Sequence, residues 1–227
     1  MDGALLLFDK SRPESTYTNR ILGLNESALG SLDELLGRYD PRTPPCIDLR
    51  IENATAPVVN ELLHRRYRPT ISLYFLAAQT AGRQADATHD IRRLGPNEAG
   101  AFLDLLETEG GPAIPADVRA AKAPYYCTDR FRTFVAQVDG RPVAWATMYV
   151  TDDEKHPYFA NAFTHEEFRG RGIQRDLLLA RMRDAAELGL DTLVTDVVPG
   201  TTSLRNCRRA GFEIETANCL WEVTQTD

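Results

Sequence analysis

Phe168-Arg169-Gly170-Arg171-Gly172-Ile173-Gln174-Arg175 is the stretch on which the reading of this chain turns. It stands between a strand-like run, Tyr158-Phe159-Ala160-Asn161-Ala162-Phe163-Thr164, and a helical run on which Leu178, Met182 and Ala185 share one face. Two glycines let the backbone turn tightly and present successive N–H groups outward, and a helix starting there adds its positive dipole end. That is an anion cradle, suited to a pyrophosphate; the alternative is a plain surface turn with solvated arginines. A nucleoside-triphosphate loop would close on Gly-Lys-Ser/Thr, and no such triplet follows. A dinucleotide fold needs Gly-x-Gly-x-x-Gly in an early βαβ unit, whereas these glycines come late and follow antiparallel strands.

Working outward, Arg132–Val138 and Val143–Val150 flank Asp139-Gly140, a strong hairpin signal. Before them, Asp90–Leu94 predicts a short strand, and Gly95-Pro96-Asn97-Glu98 opens a helix that runs through Leu106 and stops at Gly110-Gly111. After the glycine stretch come a strand over Thr192–Val198, a helix from near Ser203 and a final strand from Phe212. The order β-α-β-β-β-α-β-α-β predicts an α+β chain built on a mixed sheet with helices packed on it. Nearer the start, Ser31–Leu36 and Ala56–Leu63 read as short amphipathic helices, and Pro45–Ile51 and Thr70–Leu76 as strands. A polar, aperiodic run from Gln79 to Thr88 separates the two parts. The expected division is a small α+β domain over 1–80, a linker over 81–89 and a larger domain over 90–227.

The 227 residues carry 26 Lys+Arg against 33 Asp+Glu, a formal net charge of -7, and are 43% hydrophobic, the profile of a globular protein rather than a disordered, collagenous or coiled-coil one. No apolar run approaches the roughly 20 residues that cross a bilayer, and Met1–Leu7 is too short and lacks a basic start, so a cytoplasmic protein with no membrane partner is expected. Net negative charge disfavours nucleic acid as a partner. Cys46, Cys127, Cys207 and Cys219 form no CxxC, and His64, His89, His156 and His165 no HxxxH or HExxH, so no metal site is expected and the thiols read as reduced and mostly buried.

In these features the chain resembles the GNAT superfamily of acyl-CoA-dependent N-acyltransferases. Its signature, Arg/Gln-x-x-Gly-x-Gly/Ala, is matched by Arg169-Gly170-Arg171-Gly172-Ile173-Gln174 except at the last place, and a strand and helix ending in Gly-Phe is matched by Val197–Phe212. The resemblance covers about residues 88–225. It implies a GNAT-like fold and acetyl-CoA as cosubstrate, with the amides of Arg169, Gly170, Arg171, Gly172, Ile173, Gln174 and Arg175 on the pyrophosphate. It also implies that Ala162, Phe163 and Thr164, on the strand before the loop, pair with the pantetheine arm where that strand splays from its neighbour, and that Ser203 and Asn206 face the thioester end or pantetheine from the other side. Arg205, Arg208 and Arg209 form a local patch of +3, either a solvated helix face or a contact for the 3′-phosphate.

The chain departs from the family at the acid and the base. The position of the usual carboxylate base falls on Tyr158 and that of the usual tyrosine acid on Cys207. The remaining candidates are Asp196, an acid in an otherwise apolar strand; Tyr158 or His156 as a relay; Cys207 as proton donor; or solvent. The resulting expectation is an N-acetyltransferase moving an acetyl or short acyl group from acyl-CoA to a primary amine of a small molecule, as monomer or homodimer. The competing class is a non-catalytic acyl-CoA-binding sensor. The first domain carries no such glycine loop, and its helix–Tyr67–strand ending faintly echoes the second, as a degenerate GNAT-like half would. Tyr17-Thr18-Asn19-Arg20 reads as a structured loop or part of an acceptor surface.

Overall fold

The computed structural model describes residues 3–10, 12–80, 87–108, 113–151 and 156–224. The elements in chain order are β1 (Leu5–Leu7), β2 (Arg20–Leu22), α1 (Leu32–Leu36), β3 (Cys46–Arg50), α2 (Ala56–His64) and β4 (Tyr67–Gln79). There follow β5 (Asp90–Leu94), α3 (Ala99–Thr108), α4 (Ala116–Lys122), β6 (Phe131–Val138), β7 (Arg141–Val150), β8 (Pro157–Thr164), α5 (Ile173–Glu187), β9 (Thr192–Val197), α6 (Thr202–Arg209) and β10 (Glu213–Val223). The architecture is mixed α+β, as the sequence pattern predicts.

Two compact units emerge. One holds residues 1–75, 197–201 and 214–227; the other holds 76–196 and 202–213. The sequence reading cuts the chain once, whereas these units interleave: most of β10 belongs with the first. The expected linker lies outside the described residues over 81–86, as does the expected helix stop at Gly110-Gly111.

In the first unit the strand order is β1-β2-β3-β10-β4. Strand β2 is parallel to β3, and β3 is antiparallel to β10. Its core gathers Ile21, Leu24, Leu32, Leu35, Ile47, Leu49, Val58, Leu62 and Trp221. Burying side chains of this kind contributes about 1.5–3 kcal/mol each. Asn19 is buried and organises its loop, accepting from the Asp9 amide at 3.0 Å and donating to the carbonyls of Arg12 and Ser15, so residues 17–19 lie in a structured loop that enters β2 at Arg20.

In the second unit the order is β4-β9-β8-β7-β6-β5. Strands β5 to β8 form an antiparallel meander, and β8 and β9 are parallel. The Asp139-Gly140 turn takes φ of 51° and 74°, both positive as a two-residue hairpin turn requires. Phe102 of α3 meets Trp145 of β7 edge to face at 5.4 Å between ring centroids, in a core with Leu94, Val135 and Cys127. Helix α5 buries Leu178, Met182 and Ala185, as their spacing predicts. Strands β1 and β2, three residues each, are too short to show alternation, and α4 buries no residue, so it offers no apolar stripe to read.

Candidate functional site

Strand β9 pairs with β8 at two positions, Tyr158 with Val194 and Phe159 with Thr195. The Thr195 hydroxyl donates to the Phe159 carbonyl at 2.8 Å and closes that short ladder. Beyond it, β8 continues along β7 alone, and there the register slips: Ala162 opposes Ala146 while Ala160 opposes Thr147. Asn161, at φ 36°, is the extra residue of this bulge. Ala162, Phe163 and Thr164 therefore run on with no β9 partner on that side.

The chain then passes through a 3-10 turn at Glu166–Phe168 into the glycine stretch. Gly170 and Gly172 take φ of 77° and 85°, left-handed values that a side chain disfavours. Gly172 is the N-cap of α5 and offers no capping side chain. The first-turn amides of Ile173, Gln174 and Arg175 thus have no acceptor within the helix, and the dipole adds positive potential where they point. The Ile173 side chain itself is buried, so its contribution here is its backbone.

The polar side chains of the loop are tied to the loop. Gln174 Nε2 donates to Thr164 Oγ1 at 2.7 Å and Arg169 Nε to the Thr164 carbonyl at 3.1 Å, joining the turn to the end of β8. Arg171 Nη2 donates to the Glu167 carbonyl at 2.9 Å, with its guanidinium 5.0 Å from the Phe168 ring centroid. Arg175 Nη1 reaches Asp176 Oδ1 at 3.2 Å. All three arginines remain exposed.

Of the residues singled out for acid–base chemistry, two meet: the Tyr158 hydroxyl donates to Asp196 Oδ1. Strand alternation explains the acid in β9, since Leu193, Thr195 and Val197 are buried while Val194 and Asp196 face the other way, half-buried. Tyr158 alternates with buried Pro157 and Phe159 in the same manner. His156 is exposed just before β8. Cys207 is buried on α6; burial pushes its thiol pKa up, against the opposing pull of Arg181 and of a hydrogen bond with Ser203. On the same helix Ser203 is exposed and Asn206 half-buried, while Arg205 Nη2 donates to Thr202 Oγ1 at 2.7 Å and Arg208 and Arg209 are exposed.

One buried cation escaped the sequence reading. Arg181 is 3% exposed, donates to the carbonyls of Leu177 at 3.2 Å and Thr147 at 3.0 Å, and lies 4.5 Å from the centroid of Phe159. Burial lowers its pKa to about 10, so it stays charged at neutral pH. The signal was present: residue 181 falls on the stripe 178, 182, 185, where a basic side chain contradicts the apolar period.

Residues 101–212 match the model of the acetyltransferase (GNAT) family. No curated protein matches the sequence. Among solved structures, a protein of unknown function from Staphylococcus epidermidis ATCC 12228 superposes with a TM-score of 0.70 at 14% identity, over 99% of this chain and 92% of that one. A GCN5-related N-acetyltransferase from Kribbella flavida gives 0.67 at 14% identity, over 94% and 84%. Another from Sphaerobacter thermophilus gives 0.64 at 14% identity, over 92% and 73%. At such identities the likeness is one of fold. Residues 101–212, about half of the chain, carry the acetyltransferase (GNAT) family's domain.

Proposed function

We propose that the chain transfers an acetyl or short acyl group from acyl-CoA to the primary amine of a small molecule, by direct attack of the amine with both substrates bound. The observation that carries this reading is the parting of β8 from β9 after two pairs, which leads along Ala162–Thr164 into an uncapped helix start at Gly172. The amides from Arg169 to Arg175 suit the pyrophosphate, the free side of Ala162–Thr164 suits the pantetheine amides, and Ser203 and Asn206 of α6 approach from the other side. Acyl-CoA supplies the activated thioester, and N-acyl transfer then asks for an unprotonated amine, a carbonyl within reach and a proton for the leaving thiolate. Binding is assigned to residues 90–227, where the glycine stretch runs into the uncapped start of α5. No nucleic acid, membrane or metal enters this reading.

Asp196 is the proposed proton acceptor. The Tyr158 hydroxyl already donates to it, so a proton taken up by the Tyr158 oxygen can be passed on to the carboxylate through that bond. Cys207, kept protonated by burial, is the proposed donor to the thiolate. The test is release of free thiol from acetyl-CoA across a panel of amines, with Asp196→Asn compared through the pH profile of kcat/KM. Loss of rate and of the acidic limb in Asp196→Asn is expected. An unchanged rate and profile removes Asp196 from the mechanism, and tight acetyl-CoA binding with no turnover on any amine replaces the enzyme by an acyl-CoA sensor.

A further inference from the structure

Asp176, in the first turn of α5, is a carboxylate where an anion-binding helix gains nothing from negative charge. It is 1% exposed, and four donors converge on its Oδ2: the Thr88 amide at 2.8 Å, Thr88 Oγ1 at 2.8 Å, the His89 amide at 3.1 Å and His89 Nδ1 at 2.7 Å. Its own amide donates to the Gly172 carbonyl at 3.1 Å. On the other flank of that glycine, His89 Cε1 stands 4.0 Å from the point where a Gly172 Cβ would lie. Gly172 is thus held by the Asp176 backbone and flanked by the ring that the Asp176 side chain grips. Burial by itself would raise the Asp176 carboxyl, but the bonds from His89 and Thr88 prevail and hold it below the usual range, so it is ionised at neutral pH.

We propose that Asp176, acting through Thr88 and His89, is the positioning residue of the phosphate loop: it holds the Gly172 turn in the shape that binds the coenzyme A pyrophosphate. The inference rests on the acyl-CoA reading above. The sign of one substitution separates positioning from simple electrostatics. Asp176→Asn removes a negative charge beside an anion site, and charge alone would tighten binding. If the carboxylate shapes the loop, binding weakens, because a neutral amide oxygen holds these donors less strongly than the charged carboxylate.

The experiment is calorimetric titration of the full chain with coenzyme A, with a thermal unfolding curve for each variant. Asp176→Asn is expected to weaken binding about tenfold or more. His89→Asn keeps a side-chain N–H in place of Nδ1 but gives up the ring beside Gly172, and is expected to lose less affinity than His89→Phe, which keeps a ring, loses the donor and is expected to follow Asp176→Asn. A purely structural role would lower the unfolding midpoint without changing the affinity of the folded protein. Equal or tighter binding by folded Asp176→Asn overturns the proposal. Should that variant not fold, the His89 pair decides: His89→Asn losing as much as His89→Phe, or neither losing affinity, overturns it as well. Failure of the parent chain to bind coenzyme A would overturn the acyl-CoA reading and this inference together, an outcome distinct from those.

Discussion

Placing a carboxylate at Gly172 tests the phosphate cradle most directly, provided its charge is separated from its backbone effect. Gly172 has φ 85° and caps α5 with no side chain, and among the described residues a Cβ there would meet His89 Cε1 at 4.0 Å, an ordinary contact. Gly172→Ala therefore adds left-handed strain and no clash. The strain costs about 1–2 kcal/mol, which lowers Tm by a few degrees in a chain of this size. Because the strain is present with and without ligand, Gly172→Ala should bind acetyl-CoA nearly as the parent does. Gly172→Asp adds a negative charge roughly 5 Å from a pyrophosphate seated on the first-turn amides. At the high effective dielectric of an exposed loop, Coulomb's law gives about 1 kcal/mol per opposing charge, hence about 2 kcal/mol for two. That corresponds to about a 30-fold rise in Kd. Calorimetric titration with acetyl-CoA reads it, and raising the salt to about 1 M should recover part of the loss, since screening then acts within about 3 Å. Gly172→Asp binding as tightly as Gly172→Ala would refute the cradle.

Two further predictions concern the scaffold that carries the site. Arg132 of β6 and Asp184 of α5 form a bidentate pair, Nε to Oδ2 at 2.5 Å and Nη2 to Oδ1 at 2.8 Å, with side chains only 7% and 14% exposed. Asp184→Asn takes the bidentate carboxylate from that guanidinium, leaving it the Asp129 carbonyl at 3.2 Å and the exposed Asp129 carboxylate at 3.7 Å, and should cost about 3 kcal/mol in urea unfolding at unchanged m; a loss under about 1 kcal/mol would show that Asp129 or water compensates. In the first unit, burial raises the Cys46 thiol to about 12, with Arg20 opposing and Glu222 and Asp48 adding to the rise. The unfolded thiol ionises near 9 while the native one keeps its proton, so the unfolded state binds fewer protons and stability falls as pH rises from about 9 towards 12. Cys46→Ala should flatten that alkaline slope, and an identical slope would remove Cys46 as its source.

The sequence by itself determined the local features. Gly170 and Gly172 mark a turn that only left-handed backbone can make, Asp139-Gly140 marks the hairpin, and the 178, 182, 185 spacing marks the buried face of α5; each is a short-range steric or periodic constraint written into neighbouring residues. Strand alternation also lay within reach, and it would have turned Asp196 away from the core that Leu193 and Thr195 join. What tertiary structure alone decided are the pairings between distant residues. The Tyr158–Asp196 bond spans 38 positions and the His89–Asp176 bond 87, and neither leaves a trace in local spacing, because a hydrogen bond across elements depends on which strand or helix the topology sets beside which. The same holds for β10: a final strand is expected from Phe212, but only its antiparallel pairing with β3 brings most of it into the first unit. Local sterics chose the elements of this chain, and the long-range ladders and buried polar bonds chose their partners.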